Sequence, residues 1–456
     1  MNGLLIKFIR GTLCGLFAIS WISVPLQAAK SVSHYGVTVH FADDHLIGKF
    51  ANGEPWIIGP VIVTGIDKPS VPLTTQTTGG AMLNPTPGGK QGFCPRYTQP
   101  SDHPYDPSLD ISLQYPFTVK VGDSLVVARA IGQEAQQSGG AYDAFVDVIV
   151  GFIFLAEPPV AGSFRPGLYG SDHAVRFNKT DIDYSILKNL KPVLTTPTQA
   201  WMEASYRLPA LPWWEWTKQW TGSFIRPLEN SGTGNGEGYR SQYGREAANK
   251  WSITALWLNT ENTNEAKEKV MIQTIQAGLD IGSYFKIGGS LAASGGHQVG
   301  HKFPLLIAAV ALKDPELLAF ASDAGRFIED QTTFLVQQSD VGRIVEGGQA
   351  AMYLPEDVGI ADWGINHNWN PSKDDRRWAD GVPYRFVQWP AMTGQLLSAE
   401  LMGLREVWAH PPIFAYNERF IARQGGLGND FVGQMWKKYN ANASSPSSLR
   451  VLKIKR

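Results

Sequence analysis

Four short stretches gather most of the residues able to move a proton or hold an acidic group. Residues 232–245 (GTGNGEGYRSQYGR) interleave glycines with Glu237, Tyr239, Arg240, Tyr243 and Arg245 just ahead of a helix-forming run. Glycine lets a backbone approach a ligand closely, and arginine offers a permanent planar fork for carboxylates. The stretch is no phosphate loop, because the Gly-Lys-Ser/Thr ending is missing. Residues 288–302 (GGSLAASGGHQVGHK) carry His297, His301 and Lys302. The two histidines stand four apart, a spacing zinc ligands use on a helix face. The glutamate of HExxH is absent, however, and Gly300 and Pro304 predict a helix beginning only near His301. His297, His301 and Lys302 are then expected at a helix mouth, where amide groups favour an anion. Residues 356–369 (EDVGIADWGINHNW) supply Asp362, Trp363, Asn366, His367 and Trp369, and residues 374–389 supply Tyr384 and Arg385. Tryptophan faces stack on the apolar C–H faces of sugars, while Arg and Asn satisfy hydroxyls and carboxylates.

These residue types match the needs of β-elimination on a uronate-containing glycan. One group must neutralise the carboxylate, a base must take the C5 proton, and an acid must serve the departing oxygen. His297 or Tyr239 suits the base and Tyr384 the acid, with Asn366, His301 and Arg240 on the carboxylate and His367 beside them. Glu237, Arg245, Lys302, Asp362, Trp363, Trp369 and Arg385 are the expected substrate contacts. A glycoside hydrolase is the alternative, drawing its two carboxyl groups from Glu237, Glu356, Asp357 and Asp362. A third reading is a glycan-binding protein without chemistry, gripping through the Gly-rich loop around Gly79, Gly80 and Gly88–Gly92. A serine triad is disfavoured, since no Gly-x-Ser-x-Gly elbow sits between a strand and a helix. No cofactor is implied, and a structural divalent cation is compatible with the sequence.

The chain that must position these residues has 456 of them, 43% hydrophobic and 18% charged, with a formal net charge of −1. That balance argues against a nucleic-acid partner, which calls for a basic excess. An acidic polysaccharide is the expected partner. Residues 1–29 read as a signal peptide: Lys7 and Arg10 precede an apolar run, and small residues follow at Ala28 and Ala29. The run is too short to span a bilayer, so export to the periplasm or medium is expected, with no stable membrane anchor. Cys94 would then be the single cysteine of the mature chain, which allows no internal disulfide.

Residues 30–158 are expected to form a β-sandwich-like domain. Runs at 37–41, 55–66, 117–121, 124–131 and 142–155 are β-branched or aromatic and bounded by Gly, Pro, Asn and Asp. Residues 121–124 predict a hairpin turn. Residues 159–440 read as helical, with helices expected at 181–190, 264–285, 304–312, 315–338, 390–409 and 429–439. Residues 441–456 read as a flexible tail. Strands first and helices after predict an α+β chain of segregated domains. Buried helices joined by long aromatic loops resemble the (α/α) toroid of polysaccharide lyases. That resemblance implies a helical toroid-like domain carrying the site in its loops.

Overall fold

Tyr35 and Gly36 both adopt positive φ, 45° and 74°, and close a hairpin between β1 (Gln27–His34) and β2 (Val37–Lys49). Two left-handed residues in succession give a turn whose twist matches that of the flanking strands. The computed structural model describes residues 27–68, 79–86, 90–93, 105–130, 146–205, 244–289, 291, 299–342, 353–364 and 389–440. Along its other edge the long β2 pairs antiparallel with β3 (Pro55–Ile58) and then β4 (Val61–Asp67). Beyond β3 the sheet continues through β8 (Val146–Leu155), β7 (Ser124–Ala130) and β5 (Ala81–Leu83). Beyond β4 it continues to β6 (Phe117–Val119). The sheet thus divides into two wings where β3 passes into β4.

Period-two alternation assigns each wing an inner face. Val39, Phe41, Val61, Val63 and Val119 of one wing share a buried cluster with Ile57, Leu125, Val127, Val150, Phe152 and Phe154 of the other. The intervening residues Trp56, Val126, Ala128, Ile149 and Ile153 join the core of the helical half instead. β8 is therefore apolar on both faces, which explains its unbroken hydrophobic run. The turn at residues 121–124 exists but is not a hairpin. Gly122 N–H donates to Phe154 O, and Phe154 N–H donates to Asp123 O, so the turn is tied to the end of β8. It carries the chain from one wing to the other, because β6 pairs with β4 while β7 pairs with β5 and β8.

The second half is helical, giving an α+β protein with an N-terminal sheet domain. Its helices are α1 (Gln199–Ser205), α2 (Gly244–Leu258), α3 (Asn264–Lys286), α4 (Lys302–Ala311), α5 (Pro315–Ala321) and α6 (Ile328–Gln331). They continue with α7 (Thr393–Met402), α8 (Arg405–Trp408), α9 (Pro411–Arg423) and α10 (Phe431–Tyr439). A short ladder pairs β9 (Thr333–Leu335) with β10 (Ala361–Trp363). Several expectations are corrected. Residues 181–190 form 3-10 turns rather than a helix, Asp183 accepting from Ser185 N–H. Thr263, not Asn264, caps α3 through Ala266 N–H. The run 315–338 starts as expected, with Asp314 accepting from Leu317 N–H and Pro315 at the first position, but stops at Ala321. Asp323 there caps a separate 3-10 turn through Gly325 N–H. Gly403, at φ 77°, closes α7 and breaks the expected 390–409 helix.

One charged group joins the sheet to the helices. Arg165, fully buried, donates bidentately from Nη1 and Nη2 to Asp280 of α3 at 2.8 and 2.6 Å. Its Nε donates to Glu54, in the turn between β2 and β3. Burial pushes the Asp280 carboxyl up to about 6, with the neighbouring guanidinium opposing that rise.

Candidate functional site

The N-terminus of α4 stands on a buried polar cluster. Lys302 is fully buried. Its Nζ donates to Asp330 and, at 2.6 Å, to the carbonyl of Trp408. The ammonium also lies 5.2 Å from the ring centroids of both Phe327 and Trp408, within cation–π range. Trp408 Nε1 donates to the other Asp330 oxygen at 2.9 Å, so the carboxylate is held from two sides. Lys302 N–H donates to Glu329 Oε1 at 3.1 Å, while Glu329 Oε2 is buried without a hydrogen-bond partner. His410 Nε2 lies 2.9 Å from both the carbonyl and the hydroxyl of Thr333. A carbonyl only accepts, so Nε2 carries the proton. Burial holds this imidazole below its usual range.

Burial, reinforced by the Asp330 charge, pushes the Glu329 carboxyl up to about 7. Folding therefore takes up a proton here. The associated stability is complete below about pH 4.5 and is lost as pH rises through about 7, on the order of 3 kcal/mol in all. Glu329→Gln is expected to flatten this slope. Urea unfolding midpoints from pH 5 to 8 should show the variant gaining on the parent protein as pH rises. A constant difference would contradict the assignment.

The residues singled out from sequence fall into two groups. His301 occupies the position before α4 and is buried, with 1% of its surface exposed. Lys302 follows it, but its ammonium faces Asp330 and the Trp408 carbonyl rather than an open helix mouth. Asp362 is buried on β10, accepting from Tyr353 Oη at 3.1 Å and facing Arg419 Nη1 at 3.2 Å. Trp363 is 1% exposed and fills the helical core instead of presenting a stacking face. Arg245 lies in the first turn of α2, half-buried. Glu237, Tyr239, Arg240, His297, Asn366, His367, Trp369, Tyr384 and Arg385 lie outside the described residues.

The described chain on either side of those stretches converges. Gly300, which follows 292–298, adopts φ +88°, and a Cβ on it would stand 2.5 Å from the Ala248 Cα of α2. Only glycine fits that approach. Gln395 of α7 donates from Nε2 to Ala248 O at 2.8 Å, and a Cβ on Gly300 would stand 3.1 Å from the same nitrogen. Ser252 Oγ donates to Ala391 O, holding the start of α7 against α2. Trp389, which follows 365–388, donates from Nε1 to Asn417 of α9 at 3.1 Å. Arg419, two residues on, donates to Ala361 O at 2.7 Å, four residues before that same stretch begins. The chain therefore enters α2 after 206–243, leaves 292–298 and leaves 365–388 at one junction of α2, α4, α7 and α9.

Sequence reading missed Glu329, Asp330, His410 and Arg419. The adjacent acids inside the otherwise uncharged run FIEDQTTFL were the available signal, as was His410 before Pro411 and Pro412. Among the described residues no group of three His, Cys, Asp or Glu is placed to hold a metal ion. No helix among them is long and apolar enough to cross a membrane. These features define a mixed α+β protein whose helical half carries the junction. No family model, curated protein or solved structure matches the chain.

Proposed function

We propose that the protein is a secreted or periplasmic polysaccharide lyase that cleaves a uronate-containing glycan by β-elimination, on a helical half of toroid-like design. The observation that supports this reading is the junction at Ala248, Gly300 and Gln395. Described residues flanking 206–243, 292–298 and 365–388, the segments that hold most of the proposed groups, meet there. Tyr239 or His297 takes the C5 proton, Tyr384 protonates the departing oxygen, and Arg240, Asn366 and His301 neutralise the carboxylate, with His367 beside them. His301 is the described member of this set, and it immediately precedes Lys302, which is held by Glu329 and Asp330.

The test follows the unsaturated uronate by ultraviolet absorbance and the reducing ends together, across a panel of acidic and neutral polysaccharides. Both signals are expected on an acidic glycan. Tyr384→Phe, and whichever of Tyr239→Phe and His297→Ala removes the base, are each expected to lower turnover by about 10²–10⁴-fold, the usual reach of general acid–base catalysis. Reducing ends without absorbance would replace elimination by hydrolysis. Silence in both channels would replace the enzyme by a glycan-binding protein.

A further inference from the structure

An open cleft lies between the segment after the sheet domain, the C-terminal half of α3 and α5, sharing no residue with the junction above. Four charges stand around it in alternation. Asp172 faces Arg176 at 2.5 Å and Lys286 at 2.9 Å, and Glu316 faces the same two cations at 3.6 and 3.5 Å. All four side chains are between 37% and 45% exposed, so each keeps donors or acceptors turned to solvent. Phe177 and Phe320 are among the residues that line it.

This pattern selects its ligand by chemistry. A free anion entering the ring meets two carboxylates, and a free cation meets two cations, so neither gains from the arrangement. A hydroxyl group both donates and accepts. Neighbouring hydroxyls of a sugar therefore bond a carboxylate and a guanidinium at once, in the stronger charge-assisted form. The C–H face of the same ring suits an aromatic wall. We infer that this cleft is a second carbohydrate subsite, for an uncharged sugar unit, separate from the site proposed for cleavage. It stands whether the protein eliminates, hydrolyses or only binds.

The experiment is calorimetric titration of the whole protein with neutral hexasaccharides of glucose, mannose and xylose, and with hexagalacturonate. At least one neutral oligosaccharide is expected to bind. Glu316→Ala and Arg176→Ala should each weaken it about tenfold, the loss of one charge-assisted bond. Both side chains lie at the surface, and an unchanged unfolding midpoint checks that the fold persists. Turnover on any cleaved polysaccharide should be unchanged in both variants. No binding of a neutral oligosaccharide, or binding indifferent to both substitutions, overturns the subsite. Hexagalacturonate bound more tightly than every neutral sugar, and lost in the same variants, overturns its neutral specificity.

Discussion

Lys302→Ala is expected to cost the fold about 3–5 kcal/mol, the range found when one partner of a buried ion pair is removed. The loss exceeds a cavity effect. With the ammonium gone, Asp330 keeps one donor, Trp408 Nε1, and remains fully buried beside the Glu329 carboxyl. The Trp408 carbonyl loses a 2.6 Å donor, and the rings of Phe327 and Trp408 lose the cation between them. Removing both members should hurt far less. Lys302→Met with Asp330→Leu replaces the pair by apolar groups, and such exchanges are often neutral or stabilising. Urea unfolding of both singles and the double variant measures the coupling. A single-variant loss below about 1 kcal/mol would show that the cluster is not the support it looks to be. Because α4 begins at Lys302 and His301 precedes it, turnover in the proposed site should fall with stability in Lys302→Ala. It should recover in the double variant.

The strands were legible because their burial is periodic. Residues 117–119, 124–130 and 146–155 alternate or run apolar as a sheet buried on both faces demands. What the pattern does not encode is partner choice. Gly122–Asp123 has turn chemistry whether its strands pair with one another or pass to different wings, and only the bonds to Phe154 decide it. Helix starts marked by an acid and a proline, as at Asp314–Pro315, were equally readable. Helix ends depended on caps that compete within a few residues, such as Asp323 and Gly403. α9 escaped notice although Pro411 and Pro412 open it and Ile413, Phe414, Tyr416, Phe420 and Ile421 give it a buried face. Polar clusters were the least legible. Lys302, the adjacent Glu329 and Asp330, and Trp408 come from three places in the chain and acquire meaning only once packed together. Residue type alone sent Lys302 and Trp363 toward a ligand, although both are interior.

The other large effect is expected at the seam between sheet and helices. Arg165→Ala removes the single guanidinium that serves two buried carboxylates, Glu54 and Asp280. The loss should reach or exceed the roughly 3–5 kcal/mol of one broken buried pair, because two acids are left facing each other. Its pH dependence has a definite sign. In the parent protein the Asp280 carboxyl already stands at about 6 against an ordinary 3.8, so folding takes up a proton there. The stability from that proton is complete below about pH 3.8 and is lost as pH rises through about 6. Removing the opposing positive charge raises this carboxyl further and carries the loss to higher pH. The variant should therefore lie closer to the parent at pH 5 than at pH 8 in unfolding experiments. A loss of equal size at both would mean that packing of the long side chain, and not its charge, holds the seam. Asp280→Asn separates the two. It retains one acceptor for Arg165 and no longer titrates, so its own destabilisation should be smaller and should shrink as pH rises. Hydrogen exchange locates the effect: β2 and β3, which flank Glu54, and the middle of α3 should lose protection together, because one side chain pins both.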